Sequence, residues 1–128
     1  MRNLHIPSRS PVYGRKAMVA TSHPEASLRA LEIMSKGGNA IDAAVAAAAV
    51  LGVVEAHSTG LGGDCFCLFY SNKVGKVISL NGSGNVSKVI DYNQIKQTND
   101  GYIDPYTAHA ITIPGAVAAW DKLINDYG

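Results

Sequence analysis

Residues 40–54, AIDAAVAAAAVLGVV, have no polar face: Asp42 is the one charged side chain in a run of Ala, Val, Ile, Leu and Gly. The pattern predicts a helix that must be covered all round, and its alanines allow neighbouring backbones to come close. Asn39 stands where an N-cap belongs, and Asp42 follows in the third helical position, where a carboxylate meets free amides and the positive end of the helix dipole. The run is too short and too weakly hydrophobic to span a hydrocarbon layer of about 30 Å.

Upstream, Met18–Ala20 read as a short apolar strand ended by Thr21 and Ser22. A helix then starts, with Ser22 as its expected N-cap, Pro24 in the first turn, and Glu25 three residues on as in a capping box. Ala26, Ala30, Ile33 and Met34 share one face, Glu25, Arg29, Glu32 and Lys36 mark the wet side, and Gly37–Gly38 end the helix.

Downstream the period changes. DCFCLFY, SNKVG and KVISL (64–80) predict a β-hairpin, and both faces of its first strand are apolar: Cys65, Cys67 and Phe69 on one, Phe66, Leu68 and Tyr70 on the other. Such a strand belongs in a sheet covered on both sides. Residues 84–107 are polar, with a short helix expected near KVIDYNQI (88–95) and a strand at AHAITI (108–113). A final helix begins near Pro114, repeats Val117, Trp120, Leu123, Ile124 and Tyr127 at helical spacing, and meets Gly128 as its C-cap.

One hairpin and one all-apolar helix leave more apolar surface and sheet edge than these elements can cover for one another, so further strands are expected. The expectation is an irregular arm over residues 1–17, and over 18–128 the N-terminal portion of a larger domain. A complete small domain closed by dimerisation is the alternative, and a homo-oligomer stays open.

Charge changes the picture by exclusion. With 11 Lys plus Arg against 10 Asp plus Glu and no block of either sign, the chain is a poor partner for nucleic acid or an anionic membrane. The N-terminal stretch has no apolar core of a secretory signal, so a cytoplasmic location is expected. Cys65 and Cys67, the two cysteines, lie too close along one strand for an ordinary structural disulfide and read as buried reduced thiols.

Few residues carry chemistry. GGNAIDAA places glycines before a helix N-terminus, but Asp42 occupies the electropositive turn, and there is neither a phosphate-loop lysine nor a G-x-G-x-x-G pattern. No nucleotide cofactor is expected. His57, Asp64, Cys65 and Cys67 match no zinc spacing, so no metal is expected either. His5, His23, His57 and His109 form no local arrangement that would activate a nucleophile.

Two glycine-rich stretches remain. In HSTGLGGD, Gly60, Gly62 and Gly63 either shape a tight helix-to-strand connection or offer backbone donors to a cleft. In SLNGSGN (79–85), Asn81, Ser83 and Asn85 either make a turn or hydrogen-bond a polar substrate group at the end of a strand. No base stands beside Ser83, so no catalytic residue is assigned in this chain.

The S-H-P helix start, G-G-N-A-x-D-A-A-V-A, E-x-H-S-T-G-L-G-G-D and P-G-x-V occur in an order that resembles the N-terminal part of the gamma-glutamyltranspeptidase family, from about Met18 to Gly128. The resemblance implies an α+β fold, a four-layer αββα sandwich of the N-terminal nucleophile hydrolase type, made as a precursor that cuts itself into large and small subunits. It implies a small-molecule amide substrate and a threonine, freed at the start of the small subunit, that attacks a gamma-glutamyl amide. A terminal amine beside a hydroxyl can serve as its base.

None of Thr21, Thr59, Thr98, Thr107 or Thr112 has the context of that threonine, so these residues alone are expected to be inert, with the remainder of the precursor as their partner. The family's arginine for the substrate α-carboxylate is also missing. The aligned stretch reads Gly82-Ser83-Gly84, and no arginine follows Arg29. Hydroxyl hydrogen bonds do not equal a bidentate guanidinium clamp. The wording GGDCF and NGSG is closer to the transpeptidase-like branch that lacks this arginine. That leaves an acylase of the same fold acting on a non-glutamyl amide, or a non-catalytic structural subunit, beside the gamma-glutamyl reading.

Overall fold

The computed structural model describes residues 11–97 and 101–128. The first ten residues of the expected arm, His5 among them, and Thr98 lie outside the described residues.

The chain forms helix α1 (Pro24–Ser35), α2 (Ala40–Val54), strands β1 (Cys65–Ser71) and β2 (Lys76–Gly82), a short α3 (Tyr92–Gln97), a 3-10 turn at Ala108–Ala110, and α4 (Ala116–Tyr127). The cap of α1 is His23, one residue after the expected Ser22. Its Nδ1 accepts the Glu25 N–H at 3.3 Å. Proline supplies the reason: Pro24 has no N–H and holds the residue before it in the extended region, so His23 takes the cap position and Glu25 falls one place short of a capping box. The Ser22 hydroxyl instead donates to Glu55 Oε2 at 2.6 Å, joining the entrance of α1 to the exit of α2.

The cap of α2 forms as its sequence directs. Asn39 Oδ1 accepts the N–H groups of Ile41 and Asp42 at 2.7 and 3.2 Å, and Asp42 Oδ2 accepts the Asn39 N–H at 2.9 Å. The α1–α2 core is alanine against alanine: Ala26 and Ala30 meet Ala43 and Ala47, flanked by Val19, Ile33, Met34, Val50 and Leu51. Val19 joins this cluster from a segment that is not a strand, because Met18–Ala20 find no ladder partner among the described residues. The C-terminal end of α2 is not enclosed: Val53 is 80% exposed.

β1 and β2 pair antiparallel, with Cys65 opposite Gly82 and Ser71 opposite Lys76, around a turn that Gly75 closes at φ +72°. Cys65, Cys67 and Phe69 are half-buried, and the Phe69 and Tyr127 rings meet edge to face with centroids 5.0 Å apart. On the opposite face Phe66, Leu68 and Tyr70 are 70, 74 and 62% exposed. An all-apolar strand with an open face leaves just the uncovered surface that the hydrophobic pattern calls for.

Two expectations shift at the C-terminal end. AHAITI forms a 3-10 turn followed by extended residues that do not join the sheet. Ile113 donates one backbone bond, to Asn85 O at 2.9 Å, and Pro114 has no amide to continue a ladder. The buried face of α4 is Ala116, Ala119 and Leu123, whereas Val117 and Ile124 of the expected stripe are 52 and 46% exposed. The helix turns its small residues inward because β2 ends directly against them: a β-carbon on Gly82 would lie 2.5 Å from Ala119 Cβ.

Candidate functional site

The antiparallel register puts the start of β1 and the end of β2 at the same end of the hairpin. Three connections therefore meet there: residues 60–64 entering β1, 81–85 leaving β2, and 112–115 leading into α4. Gly63 O accepts the N–H groups of Gly115 and Ala116 at 3.1 and 2.9 Å, satisfying first-turn donors of α4. Asp64 Oδ1 accepts the Gly84 N–H at 3.0 Å and the Thr112 hydroxyl at 3.1 Å. Asn81 folds back on its own loop, its Oδ1 accepting the Ser83 N–H at 2.9 Å.

Glycine is required by contact here rather than by φ. A β-carbon on Gly84 would overlap the Ile113 carbonyl, and one on Gly115 would overlap the Gly82 carbonyl oxygen. A tight connection is one of the two readings that the sequence leaves for Gly60, Gly62 and Gly63. Among the described residues a β-carbon at Gly60 or Gly62 meets nothing within 4 Å, and at Gly63 only the Gly60 oxygen at 3.4 Å. The point at which that loop is tied to α4 is the Gly63 carbonyl.

Between the loops lies a cleft of about 310 Å³, lined by Leu80–Asn85, Ile113–Gly115, Ala118, Ala119 and Lys122. That volume suits a small polar molecule or part of a larger one. Asn81, Ser83 and Asn85 all line it and are exposed, whereas Gly82 and Gly84 between them are half-buried. The three polar residues singled out in the sequence are thus together on one rim. Lys122, which sequence reasoning missed, adds a cation; its ammonium is 2.7 Å from Asp126, which holds its pKa above the ordinary lysine value through a hydrogen bond and charge attraction. The signal lay in register: Lys122 follows Ala118 and Ala119 by one helical turn.

Cys65 and Cys67 are free thiols on the α4 side of the sheet, and burial, with a smaller effect of Cys65, pushes the Cys67 thiol up. Among the described residues no group of three His, Cys, Asp or Glu side chains is arranged to hold a metal ion, and no helix is long and apolar enough to cross a membrane. The hydroxyls of Thr21, Thr107 and Thr112 are engaged with His23 O, Asp104 O and Asp64 respectively.

Comparison with known proteins agrees with this arrangement. The family model for gamma-glutamyltranspeptidase matches residues 26–128. The chain is 42% identical over 117 residues to the glutathione hydrolase-like YwrD proenzyme of Bacillus subtilis, covering 91% of this chain and 22% of that protein. Its structure resembles gamma-glutamyltranspeptidase of Helicobacter pylori with a TM-score of 0.79 at 28% identity, over 92% of this chain and 35% of that one. It resembles cephalosporin acylase from Bacillus halodurans with a TM-score of 0.74 at 37% identity, over 97% of this chain and 24% of that one.

The chain belongs to the gamma-glutamyltranspeptidase family. Its α+β helix, hairpin and helix arrangement is that of the αββα sandwich of N-terminal nucleophile hydrolases. It spans about a fifth of the length of the curated relative it matches over most of its residues.

Proposed function

We propose that this chain is part of the large subunit of an amide hydrolase or acyltransferase that takes gamma-glutamyl or related acyl groups. The attacking threonine lies outside these residues, at the start of a small subunit released by self-cleavage, and the remainder of that precursor covers the open face of β1 and α2. Supporting this is the family match over residues 26–128 together with a rim on which Asn81, Ser83 and Asn85 converge beside a cleft of about 310 Å³. These three residues orient the substrate by hydrogen bonds, and no residue of this chain carries out bond cleavage. Residues 18–128 are the N-terminal portion of the domain, and the protein works in the cytoplasm.

The test is expression of the full coding region. Two subunit bands and turnover of a gamma-glutamyl anilide are the expected result; an intact, inactive polypeptide after a maturation attempt with a verified positive control contradicts it. A second reading, a non-glutamyl acylase, is favoured by one observation: no arginine follows Arg29 in these residues, so the rim offers hydroxyl and amide groups, with its lining cation, Lys122, paired to Asp126, where a guanidinium clamp would bind an α-carboxylate. The likeness to a cephalosporin acylase supports it as well. A glutaryl amide turned over faster than its gamma-glutamyl counterpart would select this reading.

A further inference from the structure

Asp64 is the first residue before β1, and nothing in its local sequence assigns it a task. Its carboxylate nevertheless joins two loops remote in the chain. One oxygen, Oδ1, takes both the Gly84 N–H at 3.0 Å and the Thr112 hydroxyl at 3.1 Å. Gly84 stands between Ser83 and Asn85, the two polar residues that end the rim, and Thr112 precedes Ile113, whose N–H donates to Asn85 O at 2.9 Å. The adjoining Gly63 carbonyl holds Gly115 and Ala116 at the start of α4. Two consecutive residues thus tie the exit of β2 and the entrance of α4 to the start of β1.

From this geometry we infer that Asp64 is a positioning residue for substrate capture, an inference that rests on the rim reading given above. A backbone amide that donates to a fixed carboxylate cannot swing, so the side chains on either side of Gly84 are presented at a set spacing. Preorganisation of this kind lowers the ordering cost of binding and acts on substrate affinity, not on the bond-breaking step. The requirement is for an acceptor. Two donors converge on one oxygen, and asparagine, whose Oδ1 can occupy the same place, meets that requirement without charge.

The experiment uses the full-length, matured enzyme and the amide it turns over best. Asp64→Ala raises KM about five- to tenfold with kcat within about twofold, the lower figure applying because water competes for an exposed carboxylate. Asp64→Asn restores KM to within about threefold of the parent. Hydrogen exchange at the Gly84 amide, followed by mass spectrometry, is faster in D64A and close to parental in D64N.

Parental KM in D64A, or equal damage in D64N and D64A, overturns the inference. If D64A does not mature, Thr112→Val decides: it removes one donor and leaves the carboxylate, and KM raised about threefold at unchanged kcat supports the inference whereas parental KM overturns it. Ser83→Ala and Asn85→Ala separate the two levels. Should both leave KM unchanged, the rim reading falls, whatever exchange at Gly84 shows; should they raise KM while D64A does not, the rim stands and the role of Asp64 falls.

Discussion

Gly84 and Ile113 are packed so closely that Gly84 has no room for a β-carbon, which would overlap the Ile113 carbonyl. The contact fixes the exit of β2 against the strand-like approach to α4, and both walls of the cleft depend on it. Gly84→Ala in the full-length protein is therefore expected to cost about 2–4 kcal/mol or to prevent maturation, because backbone and not a flexible side chain must move. Gly62→Ala, with nothing within 4 Å of its added carbon among the described residues, should change the denaturation midpoint less. Equal stability of the two variants in urea would contradict the contact.

The alanine interface between α1 and α2 makes a second prediction. Ala47 is 6% exposed and belongs to the cluster with Ala26, Ala30 and Ala43. Ala47→Leu adds three carbons where two backbones approach on small side chains, and should destabilise by about 1–3 kcal/mol. Urea melts of variant and parent that coincide would show that the helices are free to separate.

Asn39 makes bonds of two kinds, as an acceptor for the first turn of α2 and as a donor from Nδ2 to Tyr127 O at 2.6 Å. Asn39→Ala loses both and is expected to cost about 1–2 kcal/mol. Asn39→Asp keeps the cap and loses only the link to the end of α4, so it should fall between parent and N39A. A ranking by thermal denaturation that puts N39D level with N39A would mean that the cap contributes nothing.

Burial raises the Cys67 pKa, so its reactive thiolate is scarcer at a given pH than on a free thiol. Alkylation of Cys67 by iodoacetamide should lag behind that of a model thiol near pH 8 and accelerate as pH rises through the raised value. Mass spectrometry of the peptide carrying both cysteines reads this. A rate equal to that of the model thiol would place Cys67 in open solvent.

What could be read from the sequence divides by range. The Asn39 and Asp42 cap was legible because donor and acceptor lie three residues apart, and the hairpin because its period and its turn glycine are local. The α1 cap falls on His23 and not on Ser22 because Pro24 holds the residue before it extended. The 108–113 strand and the Val117 and Ile124 positions of the α4 stripe differ for another reason: a strand exists only with a partner, and α4, which keeps Leu123 buried and Tyr127 against Phe69, sets Ala119 against Gly82, more than thirty residues earlier. Asn81, Ser83 and Asn85 could be named as a group because strand ends open into polar loops. The residue that holds their loop could not, since Asp64 meets Gly84 and Thr112 only after the hairpin and α4 are in place.

The central claim, that these residues belong to a self-processing amide hydrolase or acyltransferase, is tested most directly by intact-mass spectrometry of the purified full-length gene product after incubation. The account predicts two polypeptides whose masses sum to that of the precursor plus one water, the smaller beginning with threonine and trapped as a covalent adduct by a glutamine-like electrophile. A single unprocessed mass, unlabelled by that reagent under conditions in which a known transpeptidase is cut and labelled, would contradict it.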